Sequence, residues 1–223
     1  MSARDDIFRS IRRSLGVKGT ETIRRQIVAD RLERAPRGVV PARGQVNGEE
    51  RIALFKIQAE AALATVTEVE SADEVPKAIA EYLRNHNLPA AIRMGEDKRL
   101  HSMPWDGTAL EVAHGRSEGF DLNAVSHAFG GVAETGSLVM VSGPDNPSTL
   151  NFLPDNHIVV VRAKDVACDY ESVWAKVRFA FGKSGMPRTV NWITGPSRSG
   201  DIEQTMLLGA HGPRRLHVLV VRD

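Results

Sequence analysis

Cysteine is almost missing from this chain: Cys168 stands alone among 223 residues. One thiol excludes an internal disulfide, and it excludes a four-cysteine iron–sulfur cluster built from the chain's own ligands. No apolar run reaches the roughly 20 residues a helix needs to cross a bilayer, so no membrane span is expected. The opening segment, MSARDDIFRSIRRSLG, lacks the apolar core of a secretory signal, and a cytoplasmic location is the expectation. Net charge is only +1, and the three tryptophans and seven phenylalanines do not alternate with basic residues. Neither feature suits a nucleic-acid partner. Familiar catalytic signatures are missing too. Gly182-Lys183-Ser184 lacks the glycine that a phosphate loop needs five residues earlier, where Val177 stands. There is no GxSxG elbow. The seven histidines form neither HExxH nor a helical metal-ligand pair, so no dedicated metal site is expected.

What is present is a hydrophobic fraction of 42%, enough for a substantial core. Residues 1–43 hold ten arginines and Lys18 against Asp5, Asp6, Asp30, Glu21 and Glu33. That imbalance reads as a solvated helical face or as a docking arm for an acidic partner. Helical spacing of Ile7, Phe8, Ile11 and Leu15 marks a first helix, and Thr22–Leu32 marks a second. The proline- and glycine-bearing stretch 35–48 reads as a connector. Residues 1–48 are therefore expected to form an arm, and residues 49–223 an α/β domain.

Within that domain, helical patterns cover Glu49–Leu63, Asp73–Asn85, Tyr170–Phe181 and Gly200–Leu208. Strand-like runs fall at Thr65–Val69, Ala90–Met94, Ala109–Val112, Ala124–Phe129, Ser137–Ser142, His157–Arg162, Thr189–Thr194 and Leu216–Val221. Alternation of the two predicts a three-layer α/β fold around a mainly parallel, covered sheet. The short turns between Ala124 and Arg162 leave room for an antiparallel part.

Two glycine-punctuated stretches carry the candidate chemistry. In Gly131-Val132-Ala133-Glu134-Thr135-Gly136, Glu134 sits at the mouth of an apolar strand. A carboxylate there is costly to desolvate, which makes it a candidate general base or nucleophile. It also reads as an acceptor for backbone amides in a tight turn, with Thr135 and Gly136 shaping that turn. The second stretch, Gly195-Pro196-Ser197-Arg198-Ser199-Gly200-Asp201, joins a strand to a predicted helix. Helix amino ends bind anions, and the corner after a strand is where α/β sheets place ligands. Ser197, Ser199 and Arg198 would hold such an anion, with Gly195 and Gly200 shaping the loop; a plain helix cap with Asp201 on the dipole is the other reading. His211 is a candidate acid–base group or a cation at the helix end. His127 reads as a core histidine.

The order AETGSL, NFLPDNHIVVV, GPSRSGDIE, GAHGP, closing on an apolar strand, resembles the lactate-utilisation protein C family, the LUD domain, across residues 60–223. The resemblance implies a fold similar to the ribose-phosphate isomerase, glucosamine-phosphate deaminase and coenzyme A transferase superfamily. It implies a subunit or accessory factor of a system that oxidises L-lactate to pyruvate. It also implies cysteine-rich partner proteins that hold the iron–sulfur cluster, with no cofactor bound by this chain alone. In coenzyme A transferases a glutamate before a glycine-containing turn forms a thioester; Glu134 is similarly placed, although Thr135 and Gly136 depart from that pattern. An enzyme acting on an anionic small molecule, such as a phosphosugar, folate or coenzyme A ester, is the alternative.

Overall fold

The computed structural model describes residues 2–182, 185–200 and 206–223, and the chain divides into two compact units, Met1–Val39 and Val40–Asp223. The first unit holds α1 (Ala3–Ser14) and α2 (Thr22–Arg34). A capping box starts α1: Asp5 N–H donates to Ser2 Oγ at 3.3 Å, and Ser2 N–H donates to the Asp5 carboxylate at 3.1 Å. Neither helix buries a residue, so Ile7, Phe8 and Ile11 are exposed. No helix among the described residues is long and apolar enough to cross a membrane.

The second unit begins with α3 (Gly48–Ala61), β1 (Thr65–Val69), α4 (Val75–Asn85), β2 (Ala91–Met94), α5 (Lys98–His101) and β3 (Glu111–His114). There follow β4 (Asn123–His127), β5 (Gly130–Val132), β6 (Ser137–Val141), α6 (Ser148–Phe152), β7 (Asn156–Arg162) and β8 (Val166–Ala167). The chain ends with α7 (Tyr170–Phe181), β9 (Val190–Ile193), β10 (Arg198–Gly200), β11 (Met206–Leu208) and β12 (Arg215–Val221).

Six strands form the central sheet in the order β1-β12-β7-β4-β2-β3, every pair parallel. In inner strands β7 and β12 the runs 158–161 and 218–221 are continuously apolar because both faces are covered. From β7 and β12, Val159, Val161, Val218 and Val220 face a core shared with Ile52, Phe55 and Ala59 of α3. Their neighbours Ile158, Val160, Leu219 and Val221 face the other core, which Ile79 and Leu83 of α4 and Leu100 of α5 complete. The mainly parallel sheet expected from the sequence is this one.

The expected antiparallel part lies in a second sheet, ordered β8-β5-β6-β9, in which β5–β6 and β6–β9 are antiparallel and β5–β8 is parallel. It packs on the α3 side through Leu138, Met140 and Val166. Its other face meets Val173 and Val177 of α7 through Val132 and Val139.

Two expectations change. Of the segment expected as a helix from Gly200 to Leu208, Gly200 ends β10 and Met206–Leu208 form β11, an antiparallel pair with Arg198 opposite Leu208, while 201–205 lie outside the described residues. Met206, Leu207 and Leu208 are contiguous rather than spaced at helical intervals, and a short apolar run does not separate helix from strand. The predicted connector also reaches too far: residues 40–48 belong to the second unit, where Gly44 is buried and the Cys168 thiol donates to the Val46 carbonyl at 2.8 Å.

Candidate functional site

The loop after β9 turns at Gly195, whose φ of +70° suits glycine. A Cβ there would lie 2.0 Å from the Ala62 carbonyl oxygen at the end of α3. Beyond it the chain is tied to the segment before β12. Ser197 N–H donates to Pro213 O at 2.8 Å, and Gly209 N–H donates to Ser197 O at 2.9 Å. The His211 N–H reaches Ser197 Oγ at 3.4 Å.

This loop forms one wall of a cavity of about 260 Å³. Trp192, Thr194, Ser197, Arg198 and His211 line that side. The facing wall comes from Asn151 and Phe152 of α6, with His157 and Leu216 from the amino ends of β7 and β12. The cavity thus lies at the opposite edge of the central sheet from the carboxyl ends that α/β proteins usually use.

Two buried polar residues beside it carry side-chain atoms without a partner. Asn151 is 2% exposed, and neither its Oδ1 nor its Nδ2 has a hydrogen-bond partner. His157 is 1% exposed; Nε2 lies 3.1 Å from Ser126 Oγ, while Nδ1 is unpaired. Burial drives the His157 pKa down to about 3, so the ring is neutral. No Asp or Glu lines the cavity among the described residues, whereas the exposed Arg198 does. The charge balance therefore favours an anion.

Glu134 stands apart from this cavity. It is 3% exposed in the turn between β5 and β6. Its N–H donates to Cys168 O at 3.0 Å, and its Oε1 accepts from Tyr170 N–H at 3.0 Å. Oε2 is buried without a partner. The Glu134 carboxyl therefore sits at the first turn of α7. Asp169 caps the same helix by accepting from Ser172 N–H at 2.8 Å.

Tyr170 carries this anchorage toward the cavity. Its ring lies 4.9 Å from that of Trp192, a cavity wall. Its hydroxyl accepts from Thr135 Oγ1 at 3.1 Å and lies 3.0 Å from Ser137 Oγ. Ser137 Oγ is in turn 2.6 Å from Thr194 Oγ1. Four hydroxyls thus join the Glu134 turn to the cavity loop. Gly136, at φ +65°, lets that turn press against α3, where a Cβ would lie 2.1 Å from Ala59 N.

Of the residues singled out from sequence, Gly195, Ser197, Arg198 and His211 line the cavity. Glu134, Thr135 and Gly136 brace it through α7 and the hydroxyl chain. Ser199 and Gly200 lie on β10 outside the lining, and Asp201 lies outside the described residues. His127 is buried, with Nδ1 2.9 Å from Ala128 O. Sequence reasoning missed Asn151 and His157. The available signal was a carboxamide between Leu150 and Phe152, and an imidazole opening the run Ile158–Val161.

Glu134→Ala is expected to remove about 1–3 kcal/mol of stability, because it leaves the Tyr170 N–H without its acceptor. Urea unfolding measures this. Glu134→Gln keeps one oxygen for Tyr170 N–H and should lose less. Equal stability of parent and alanine variant would show that the contact contributes nothing.

The sequence matches the LUD domain family over residues 52–221. A Lactate utilization protein C of Deinococcus radiodurans is 33% identical over 215 residues, covering 90% of this chain and 92% of that protein. Lactate utilization protein C of Geobacillus thermodenitrificans is 30% identical over 144 residues, 60% of each chain. An uncharacterized protein of Neisseria meningitidis serogroup B is 34% identical over 91 residues, 41% of this chain and 38% of that one. Against several such relatives the match therefore spans only 38% to 60% of their length. In fold, the chain is similar to the crystal structure of a DUF162 family protein from Deinococcus radiodurans. The TM-score is 0.59 at 23% identity, covering 79% of this chain and 99% of that one. With a family match across most of its length, this chain belongs to the LUD domain family.

Proposed function

We propose that this chain serves lactate utilisation as a subunit or accessory factor of a cytoplasmic iron–sulfur system that oxidises L-lactate to pyruvate. The observation that carries the reading is the name of the Deinococcus radiodurans relative, to which the chain corresponds over nearly its whole length. That oxidation releases two electrons and two protons. An iron–sulfur cluster does not fit this chain's own donors, because Cys168 is a single thiol. Among the described residues no three His, Cys, Asp or Glu side chains group as metal ligands. In this reading a cysteine-rich partner holds the cluster. The arginine-rich arm, with Ile7, Phe8 and Ile11 exposed, docks onto an acidic face of that partner.

Affinity purification from lactate-grown cells tests the proposal. The full chain should bring down a brown, cysteine-rich partner, while residues 40–223 alone should bring down much less. That difference should shrink as salt rises and screens the charges. The shortened chain should melt as the parent domain does, since α1 and α2 bury no residue. A full chain recovered colourless and without a partner would sink the reading. Equal recovery by residues 40–223 would remove the arm from it.

A second reading is an enzyme similar to the coenzyme A transferases and sugar-phosphate isomerases, acting on an anionic small molecule. The observation that favours it is the cavity, with Arg198 and His211 on its lining.

A further inference from the structure

We propose that residues 40–46 are a strap that covers the Glu134 carboxyl and lifts off it while the rest of the second unit stays folded. Access to this carboxyl is gated by the strap. The gate is independent of the lactate-utilisation reading.

The strap leads from the arm into α3 and is thin. Pro41, Ala42, Arg43 and Gln45 are exposed, and Gly44 is its one buried residue. Most of its hydrogen bonds are internal. Gly44 N–H donates to Pro41 O at 2.9 Å, Gln45 N–H to Ala42 O at 3.1 Å, and Gln45 Nε2 to Val40 O at 3.4 Å. Among the described residues, a single hydrogen bond reaches the strap from the rest of the unit, donated by the Cys168 thiol to Val46 O. A thiol is a weak donor. Segments with so few buried residues and cross-ties open locally at a fraction of the cost of global unfolding.

Beneath the strap lies an unmet acceptor. Glu134 Oε1 accepts from Tyr170 N–H, whereas Oε2 is closed to solvent and has no partner. A Cβ on Gly44 would lie 3.2 Å from that oxygen. The strap therefore packs against Oε2 without satisfying it, since the Gly44 N–H is already spent on Pro41 O. A buried acceptor without a donor penalises the closed form. Lifting the strap relieves that penalty, because Oε2 then meets water or a donor on an incoming molecule. Opposing this are the packing of Gly44 and the Cys168 tie. The two forms are thus close in energy, which is the condition for a gate. Any acid–base work by Glu134 is confined to the open form.

The test is carboxyl labelling of the full purified chain with a water-soluble carbodiimide and glycine ethyl ester, read by peptide mass spectrometry. Glu134 should become labelled under native conditions, and its rate should hold constant through low urea. Lifting a short strap exposes little surface, whereas labelling through global unfolding accelerates with urea. Cys168→Ala, which removes the tie, should raise the Glu134 rate about threefold or more.

A reversible lock isolates the strap. Gly44→Cys with Asp169→Cys, in a Cys168→Ala background, places two Cβ atoms 3.5 Å apart, a separation that suits a disulfide. The oxidised form should label Glu134 about tenfold or more slowly than the same chain reduced with dithiothreitol. Both forms share the loss of the Asp169 cap, so the difference belongs to the strap. Absence of native labelling, a rate that climbs with urea, or equal rates in the oxidised and reduced forms overturns the proposal. An unchanged rate in Cys168→Ala would overturn the part assigned to the thiol.

Discussion

Lowering the pH from 7.5 to 5 is expected to cost the second unit about 6 kcal/mol of stability. Three imidazoles are responsible. Burial lowers the pKa of His127 and His217 to about 4 and that of His157 to about 3, against 6.5 for the free side chain. In the unfolded chain all three take up protons once the pH drops below about 6.5. In the folded chain they stay neutral until about pH 4. Between those limits the unfolded state binds more protons, so stability rises with pH and is lost as the pH falls.

Each imidazole contributes up to one proton to that slope, or about 1.4 kcal/mol per pH unit. Together they approach roughly 4 kcal/mol per unit near pH 5, against a total stability of about 5–15 kcal/mol for a typical domain. Urea midpoints at pH 7.5, 6 and 5 measure the effect. His217→Asn keeps a polar group beside Thr65, whose Oγ1 lies 2.8 Å from the imidazole Nδ1, and should flatten the slope by about a third. A midpoint that holds constant from pH 7.5 to 5 would contradict the account.

Gly195→Ala and Gly136→Ala should each cost about 2–5 kcal/mol, combining overpacking with a left-handed backbone imposed on a residue that bears a Cβ. In both positions the added carbon meets main chain, which cannot rotate away. It would lie 2.0 Å from Ala62 O in the first case and 2.1 Å from Ala59 N in the second. For a chain of this size the loss corresponds to roughly 5–20 °C in melting temperature. Gly143→Ala is the control, since a Cβ there meets nothing within 4 Å and φ is not positive. Should Gly195→Ala melt with that control, the β9 loop does not press on α3.

These two glycines also show what the sequence could convey. Periodicity located β1, β7, β12, α3 and α7 to within a residue or two at most ends. Long apolar runs and helical spacing are local properties, which a single strand or helix displays by itself. The cavity is not local. Residues 151, 152 and 157 form it with 192–198, 211–213 and 216, from separate sheets, and only the fold reveals that Asn151 and His157 border one cavity. Glu134 was visible as a costly carboxylate, but its partner, the Tyr170 amide, is 36 positions away. The hairpin of β10 and β11 was hidden because Leu207 and Leu208 are adjacent and exposed, a pattern that marks neither strand nor helix. Val132 and Val166, on β5 and β8, fall in strands of three and two residues, too short for alternation to register.

The strand order carries a temporal consequence. β12, which leaves the ribosome after every other strand of its sheet, lies between β1, the first of the sheet, and β7. Until Arg215–Val221 emerges, β1 has no hydrogen-bonded neighbour in the sheet, and one edge of β7 is open. The nascent chain must hold two unfinished pieces, each exposing valine-rich edges of the kind that pair with other chains. Closure then joins segments about 150 positions apart in sequence, the high contact order that slows folding. Synthesis of this protein therefore includes an interval of aggregation risk that ends only when β12 has emerged.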